Sequence, residues 1–84
     1  MKQAVELYPG IVSDLTILGG KPIVENTRVP VVLVLAKLAA GMSMDEVMYE
    51  YYLSVDNLRA ALGYAAQQVA EKVFIRQHFP EDEQ

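Results

Sequence analysis

The spacing of apolar and polar residues divides the chain into an extended N-terminal part and a helical remainder. Before residue 30, short apolar pairs such as Ile11-Val12 and Ile23-Val24 alternate with turn-forming residues, which is typical of short β-strands. Glu25-Asn26 is a two-residue connection between β-prone triplets, and Asn tolerates the left-handed backbone of tight turns. The pattern predicts a β-element over 11–29, with a hairpin at about 22–29.

The first helix is predicted over about 30–40. Pro30 suits a first helical position, where its missing N–H costs nothing, and Gly41 stands where a left-handed helix cap belongs. The run between them is apolar except for Lys37, so the helix is expected at the centre of the core or of a dimer. Its valines would also suit a buried strand, but its length and cap favour a helix.

Two further helices are predicted, over about 44–51 and 55–77. Ser43 and Glu46 have the spacing of a capping box, and Ser54 is a second N-cap. The third helix carries one apolar stripe at helical spacing, made of Leu58, Leu62, Ala65, Val69 and Val73. Two helices joined by about three residues have the outline of a helix-turn-helix.

Composition narrows the classes of protein that fit. The 84 residues leave room for one domain, taken as residues 1–77, followed by an acidic tail at 78–84. Without cysteine there are no disulfides or thiolate metal sites, and no apolar run reaches the ~18 residues of a membrane span. We expect a cytoplasmic protein with no membrane contact. Because 52% of its residues are hydrophobic, we expect a homodimer formed through the β-element and the helix at 30–40.

No set of residues in the sequence supports catalysis. His78 is the single histidine and has no cysteine with which to share a metal ion, and Ser13 and Asp14 have no neighbouring base. We therefore predict no enzymatic activity, no catalytic residues, no cofactor and no metal site. The expected function is binding.

Four residues are candidates for DNA contact. Lys21 and Arg28 flank the predicted hairpin and could contact phosphates, although pairing with nearby carboxylates explains them equally well. Asn57 and Arg59 lie in the first turns of the third helix, and their side chains can read adenine and guanine edges. An adjacent acid and the net charge of −4 work against such binding.

Four other residues are candidates for contact with a protein partner. Tyr49 and Tyr52 lie around the helix-turn-helix, and tyrosine is enriched at interface hot spots. Phe74 and Ile75 fall off the main stripe of the third helix, so its end is apolar on more than one side. Such a segment suits a groove on another protein, or it packs back on its own dimer.

The chain also resembles a known family, through four motifs in fixed order over about residues 11–70. The family is the bacterial one named domain of unknown function 433, and the motifs are Gly19-Gly20-Lys21-Pro22, Asn26-Thr27-Arg28-Val29-Pro30, Ala39-Ala40-Gly41-Met42-Ser43 and Ala60-Ala61-Leu62-Gly63-Tyr64-Ala65. The sequence departs from the family at Leu15 and Tyr52, where Pro is usual, and at Asn26, where Gly is usual.

The resemblance implies a homeodomain-like tri-helical fold with an N-terminal β-element. Members are similar to VapB-type antitoxins and often accompany a toxin that resembles a PIN-domain ribonuclease. The expected fold class is therefore mainly α: a homeodomain-like tri-helical helix-turn-helix bundle with a small N-terminal β-hairpin. The expected function is that of an antitoxin-like component of a bacterial toxin–antitoxin pair, which binds a PIN-like ribonuclease toxin. Operator DNA is a candidate second ligand of such a protein. The alternative is a homodimeric protein-interaction module with no nucleic-acid role.

Overall fold

A computed structural model describes residues 4–76, with side chains described as far as residue 72; the predicted tail at 78–84 lies outside this range. The strands and helices are β1 Ala4–Tyr8, β2 Ile11–Asp14, β3 Ile23–Val24, α1 Val31–Ala39, α2 Met44–Tyr51 and α3 Val55–Arg76. The helix bounds lie within one or two residues of those expected from the sequence. Within residues 4–76, no helix combines the length and the apolar character needed to cross a membrane.

The three strands form one antiparallel sheet in the order β1-β2-β3. The prediction of a mainly α, homeodomain-like tri-helical bundle is therefore wrong, because the chain is a mixed α/β fold whose sheet supplies part of the core. Ile11 and Val24, from two different strands, are completely buried. The sequence interpretation misses β1, which precedes the predicted β-element and pairs with β2 through a turn at Pro9-Gly10.

The hairpin predicted at 22–29 is present only as a tight turn. β3 pairs with β2, while the chain beyond β3 turns back and forms a single bridge between Ile23 and Pro30. The N–H of Val24 donates to the carbonyl of Val29 at 2.9 Å, and the Thr27 hydroxyl donates to the carbonyl of Val24 at 2.7 Å. Asn26 has a φ of 66°, which confirms its expected left-handed conformation.

Reciprocal side-chain caps fix the starts of α2 and α3. The N–H of Glu46 donates to Ser43 Oγ at 3.1 Å, and the N–H of Ser43 donates to Glu46 Oε1 at 2.8 Å, which confirms the predicted capping box. Ser54 caps α3 in the same manner, since the N–H of Asn57 donates to Ser54 Oγ at 3.1 Å. The Ser43–Glu46 cap thus fixes the connection between α1 and α2, and the Ser54–Asn57 cap fixes the connection between α2 and α3.

The core lies between the sheet and the three helices. It consists of eight buried residues: Ile11, Val24, Val31, Val34, Val47, Leu53, Leu58 and Ala61. The stripe predicted along α3 is only partly buried, because Leu62 is 40% exposed and Val69 is 59% exposed. The first turns of α3 therefore belong to the core, and its second half extends past it.

Two glycines allow the β1–β2 hairpin and α3 to approach closely. Gly10 has a φ of +91°, and a Cβ there would lie 2.9 Å from the Cβ of Ala60 on α3. A Cβ on Gly63 would overlap the hydroxyl of Tyr8. The Tyr8 ring packs edge-to-face on Tyr64, with centroids 6.5 Å apart. The hairpin is thereby fixed against α3 over about one turn of the helix, from Ala60 to Tyr64.

We expect Gly10→Ala to lower the free energy of unfolding by about 2–5 kcal/mol, the sum of a left-handed backbone cost and overpacking against α3. Gly41→Ala is the matched control, since Gly41 also has a positive φ, +108°, but nothing lies within 4 Å of its added Cβ. This control should lose only the backbone part, about 1–2 kcal/mol. Urea unfolding of both variants measures the difference, and equal losses would contradict the close contact.

Candidate functional site

The end of α2 and the connection that follows it present two tyrosines to solvent, Tyr49 in the helix and Tyr52 just after it. Tyr49 is 87% exposed and Tyr52 is 93% exposed, whereas Tyr51 between them packs against the core. Tyr52 ends α2 with a left-handed backbone, φ 57° and ψ 46°, and its N–H donates to the carbonyl of Met48. Bulky residues rarely adopt this conformation. Tyr52 is thus strained in its backbone and adds almost nothing to the core.

Carboxylates precede and follow this tyrosine pair along the chain. In the segment 43–59 four acids stand against one base, Arg59, and all five side chains are exposed; the acids are Asp45, Glu46, Glu50 and Asp56. Ionised carboxylates repel the phosphates of a nucleic acid and attract basic groups. The surface formed by Tyr49, Tyr52 and the four acids, the acidic tyrosine surface, therefore has the character of a protein-binding site.

The four predicted DNA-contact residues are not gathered into one basic surface. Asn57 Oδ1 accepts the N–H of Ser54 at 2.8 Å, so this carboxamide caps α3. Arg59 is exposed two residues further along α3, about half a turn from Asn57. Lys21 and Arg28 line two different cavities, one beside α1 and α3 and one on the outer face of the sheet.

The cavity on the outer face of the sheet has a volume of about 500 Å³ and carries mixed charge. Arg28 lines it together with the carboxylates of Glu6, Asp14 and Glu25. Within residues 4–76, no group of three carboxylate or histidine side chains is arranged so that it could hold a metal ion. The opposite charges therefore balance each other in part, and the cavity is not a basic phosphate site.

The pKa of Asp14 is displaced by its hydrogen bonds to Thr16. The Thr16 hydroxyl donates to Asp14 Oδ1 at 2.6 Å, and the Thr16 N–H donates to the same oxygen at 2.8 Å. These two bonds, with a smaller effect from the charge of Arg28, hold the pKa of Asp14 below its ordinary value of 3.8. The charge of Arg28 thus contributes to the lowered pKa of Asp14, and the pairing of Arg28 with a nearby carboxylate stays a prediction.

We expect Asp14→Asn to lower the thermal midpoint near neutral pH. The pKa of Asp14 is lower in the folded chain, so ionised Asp14 stabilises the fold above pH 3.8, and this contribution is lost as pH falls through the lowered pKa. The difference in midpoint between wild type and variant should therefore shrink in acid. Thr16→Val, which removes the hydroxyl donor, should show part of the same effect. A pH-independent difference would contradict the assignment.

An apolar groove runs between α1 and the second half of α3, with a volume of about 410 Å³. Val32 and Leu35 form one wall, Ala65 and Val69 form the other, and Lys21 lies at the rim. Sequence reasoning misses this groove because helical spacing assigns Val69 to the core stripe. The predicted partner residues Phe74 and Ile75 lie further along α3, where the side chains are outside the described part of the structure.

Comparisons with known proteins found a protein family and a solved structure to which this chain is similar. A family model described as "Protein of unknown function (DUF433)" matches residues 11–65, more than half of the chain. The X-ray crystal structure of Rv2018 from Mycobacterium tuberculosis is similar, with 30% sequence identity and a TM-score of 0.64. The similarity covers 74% of this chain and 31% of that chain, so it spans about a third of the longer protein. Comparison with curated proteins gives no match.

Proposed function

This chain belongs to the DUF433 family, as its four motifs predict, and we propose that it is a non-catalytic binding domain whose ligand is another protein. The observation that carries the proposal is the left-handed, 93% exposed Tyr52 beside the exposed Tyr49. Exposed aromatic side chains on a rigid support are what interface hot spots use.

The backbone of Tyr52 strengthens this argument. Glycine is the residue that a left-handed helix end favours, because a Cβ in that conformation costs about 1–2 kcal/mol. The tyrosine ring does not offset this cost within the described part of the chain, since almost all of its surface faces solvent. Strained residues concentrate at functional sites, where another requirement decides the residue type. Contact with a partner protein would supply that requirement.

Charge favours a protein over DNA as the ligand of this surface. Four carboxylates and a single arginine lie within 43–59, so a duplex approaching the start of α3 would meet repulsion. Asn57, the residue best suited to read adenine, already uses its carbonyl oxygen in the cap of α3. Operator binding would therefore need positive charge from a partner or a second copy.

The partner that we propose is a PIN-like ribonuclease toxin, with this chain as the antitoxin-like component of a bacterial toxin–antitoxin pair. Resemblance to VapB-type antitoxins motivates the role, and charge supports it. A ribonuclease must attract a polyanionic substrate, so its substrate groove is expected to carry basic residues. An acidic surface with two exposed tyrosines is complementary to such a groove. The competing role is a homodimeric interaction module with no toxin partner.

We expect Tyr52→Gly to have opposite effects on the stability of the fold and on the affinity for a partner. The substitution removes the left-handed strain and should raise the free energy of unfolding by on the order of 0.5–1 kcal/mol. The same variant should bind the toxin-like product of the neighbouring reading frame about tenfold or more weakly, because a hot-spot ring is lost. Urea unfolding and calorimetric titration measure the two effects.

Two companion variants complete the test. Tyr49→Ser should weaken binding without the gain in stability, since Tyr49 lies inside α2. Gln67→Ser is the matched control, because Gln67 is also exposed and uncharged but lies on α3, away from the acidic tyrosine surface. Full binding by both tyrosine variants would overturn the assignment of this surface. Tight binding to duplex DNA by the isolated chain would overturn the choice of a protein ligand.

A further inference from the structure

The groove between α1 and α3 exists because the two helices differ in length. α1 has 9 residues and α3 has 22, which correspond to roughly 13 Å and 33 Å of helix. α3 therefore continues well past the end of the core, and its residues 66–72 are exposed or only partly buried. The same helix thus supplies one wall of a recess and, immediately beyond, a projection.

Both sides of this recess are almost free of charge. The lining residues on the two helices are uncharged: Val31, Val32 and Leu35 on α1, and Tyr64, Ala65, Gln68 and Val69 on α3. Further exposed apolar positions on the same two helices are Ala36, Ala39, Leu62 and Ala66. Lys21, at the rim, is the one charged residue among those that line the groove. A surface of this composition loses little hydration when it is covered, and its alanines allow another helix to approach closely.

We propose that a second copy of this chain covers the groove, with the two α3 helices antiparallel and the projecting half of each lying in the recess of the other. A two-fold interface uses the same surface on both partners, so that surface must hold a projection and a matching recess. α3 provides both, side by side. Val69, which is 59% exposed, then meets the wall that contains Val32, which is 64% exposed.

An antiparallel pair centred on Gln68 places residues 66–72 of each α3 level with residues 64–70 of the other, which include the groove-lining Ala65, Gln68 and Val69. In a parallel pair the two-fold axis runs along the helices, so both projections lie at the same end and neither reaches the recess of the other. This interface is separate from the acidic tyrosine surface, so the dimer would leave that surface open.

Sedimentation equilibrium of the full chain across the micromolar range tests the proposal. Wild type should be a dimer, and Val69→Glu and Val32→Glu should each weaken dimerisation about tenfold or more. Both side chains are more than half exposed, so the variants should keep their helical circular dichroism. Leu15→Glu is the matched control, because Leu15 is 78% exposed but lies in the loop after β2, and this variant should remain a dimer.

A wild-type monomer throughout the concentration range would overturn the proposal. Loss of the dimer in Val5→Glu, on the exposed edge strand β1, with an intact dimer in Val69→Glu, would overturn it in favour of pairing through the sheet.

Discussion

Contact between the sheet and the first half of α3 is the interaction on which the rest of the structure depends. Ile11 and Val24 present two fully buried side chains from the sheet, and Leu58 and Ala61 do the same from α3. Burial of the three larger side chains, Ile11, Val24 and Leu58, contributes about 1.5–3 kcal/mol each, so this group outweighs any single hydrogen bond in the molecule. The close approach at the β1–β2 turn follows from it, as does the position of α1 and α2 around α3. Because this contact uses only the first turns of α3, residues 66–72 of the helix are left exposed or only partly buried.

The two surfaces available for binding differ in physical character. The acidic tyrosine surface is charged and carries two aromatic side chains, one at the end of α2 and one on the capped connection after it. This combination suits a specific and salt-sensitive association with a basic partner. The α1–α3 groove is almost uncharged, which suits a stable interface driven by burial of apolar area. A domain of this size can use both at once, since one surface is formed by α2 and the start of α3 and the other by α1 and the end of α3. In this account the dimer provides a scaffold, and the tyrosines provide recognition.

Local chemistry made the helices and their caps predictable, whereas non-local contacts did not follow from the sequence. Ser43 and Glu46, three residues apart, define the start of α2, and the positive φ of Asn26 follows from its side chain. β1 was not predictable in this way, because its five residues form a strand by pairing with β2 and not through their own local preference. Helical spacing groups Leu62 and Val69 with Leu58, but it does not tell which part of α3 is covered by α1. The exposure of Leu62 and Val69 therefore could not be predicted. The exposure of Tyr49 and Tyr52 agrees with their assignment to a surface, and the strained backbone of Tyr52 needed the structure.

Native-state amide hydrogen exchange of the full chain tests most directly whether the sheet–α3 contact holds the fold together. The slowest exchange should occur in β2 and at residues 58–65 of α3, with free energies of opening that approach the global value. In a dilute sample, residues 66–72 should exchange much faster than residues 58–65, because no core contact protects them. Uniform protection along the whole of α3 together with fast exchange throughout β2 would contradict the account, since it would mean that the helices hold the fold and the sheet is peripheral.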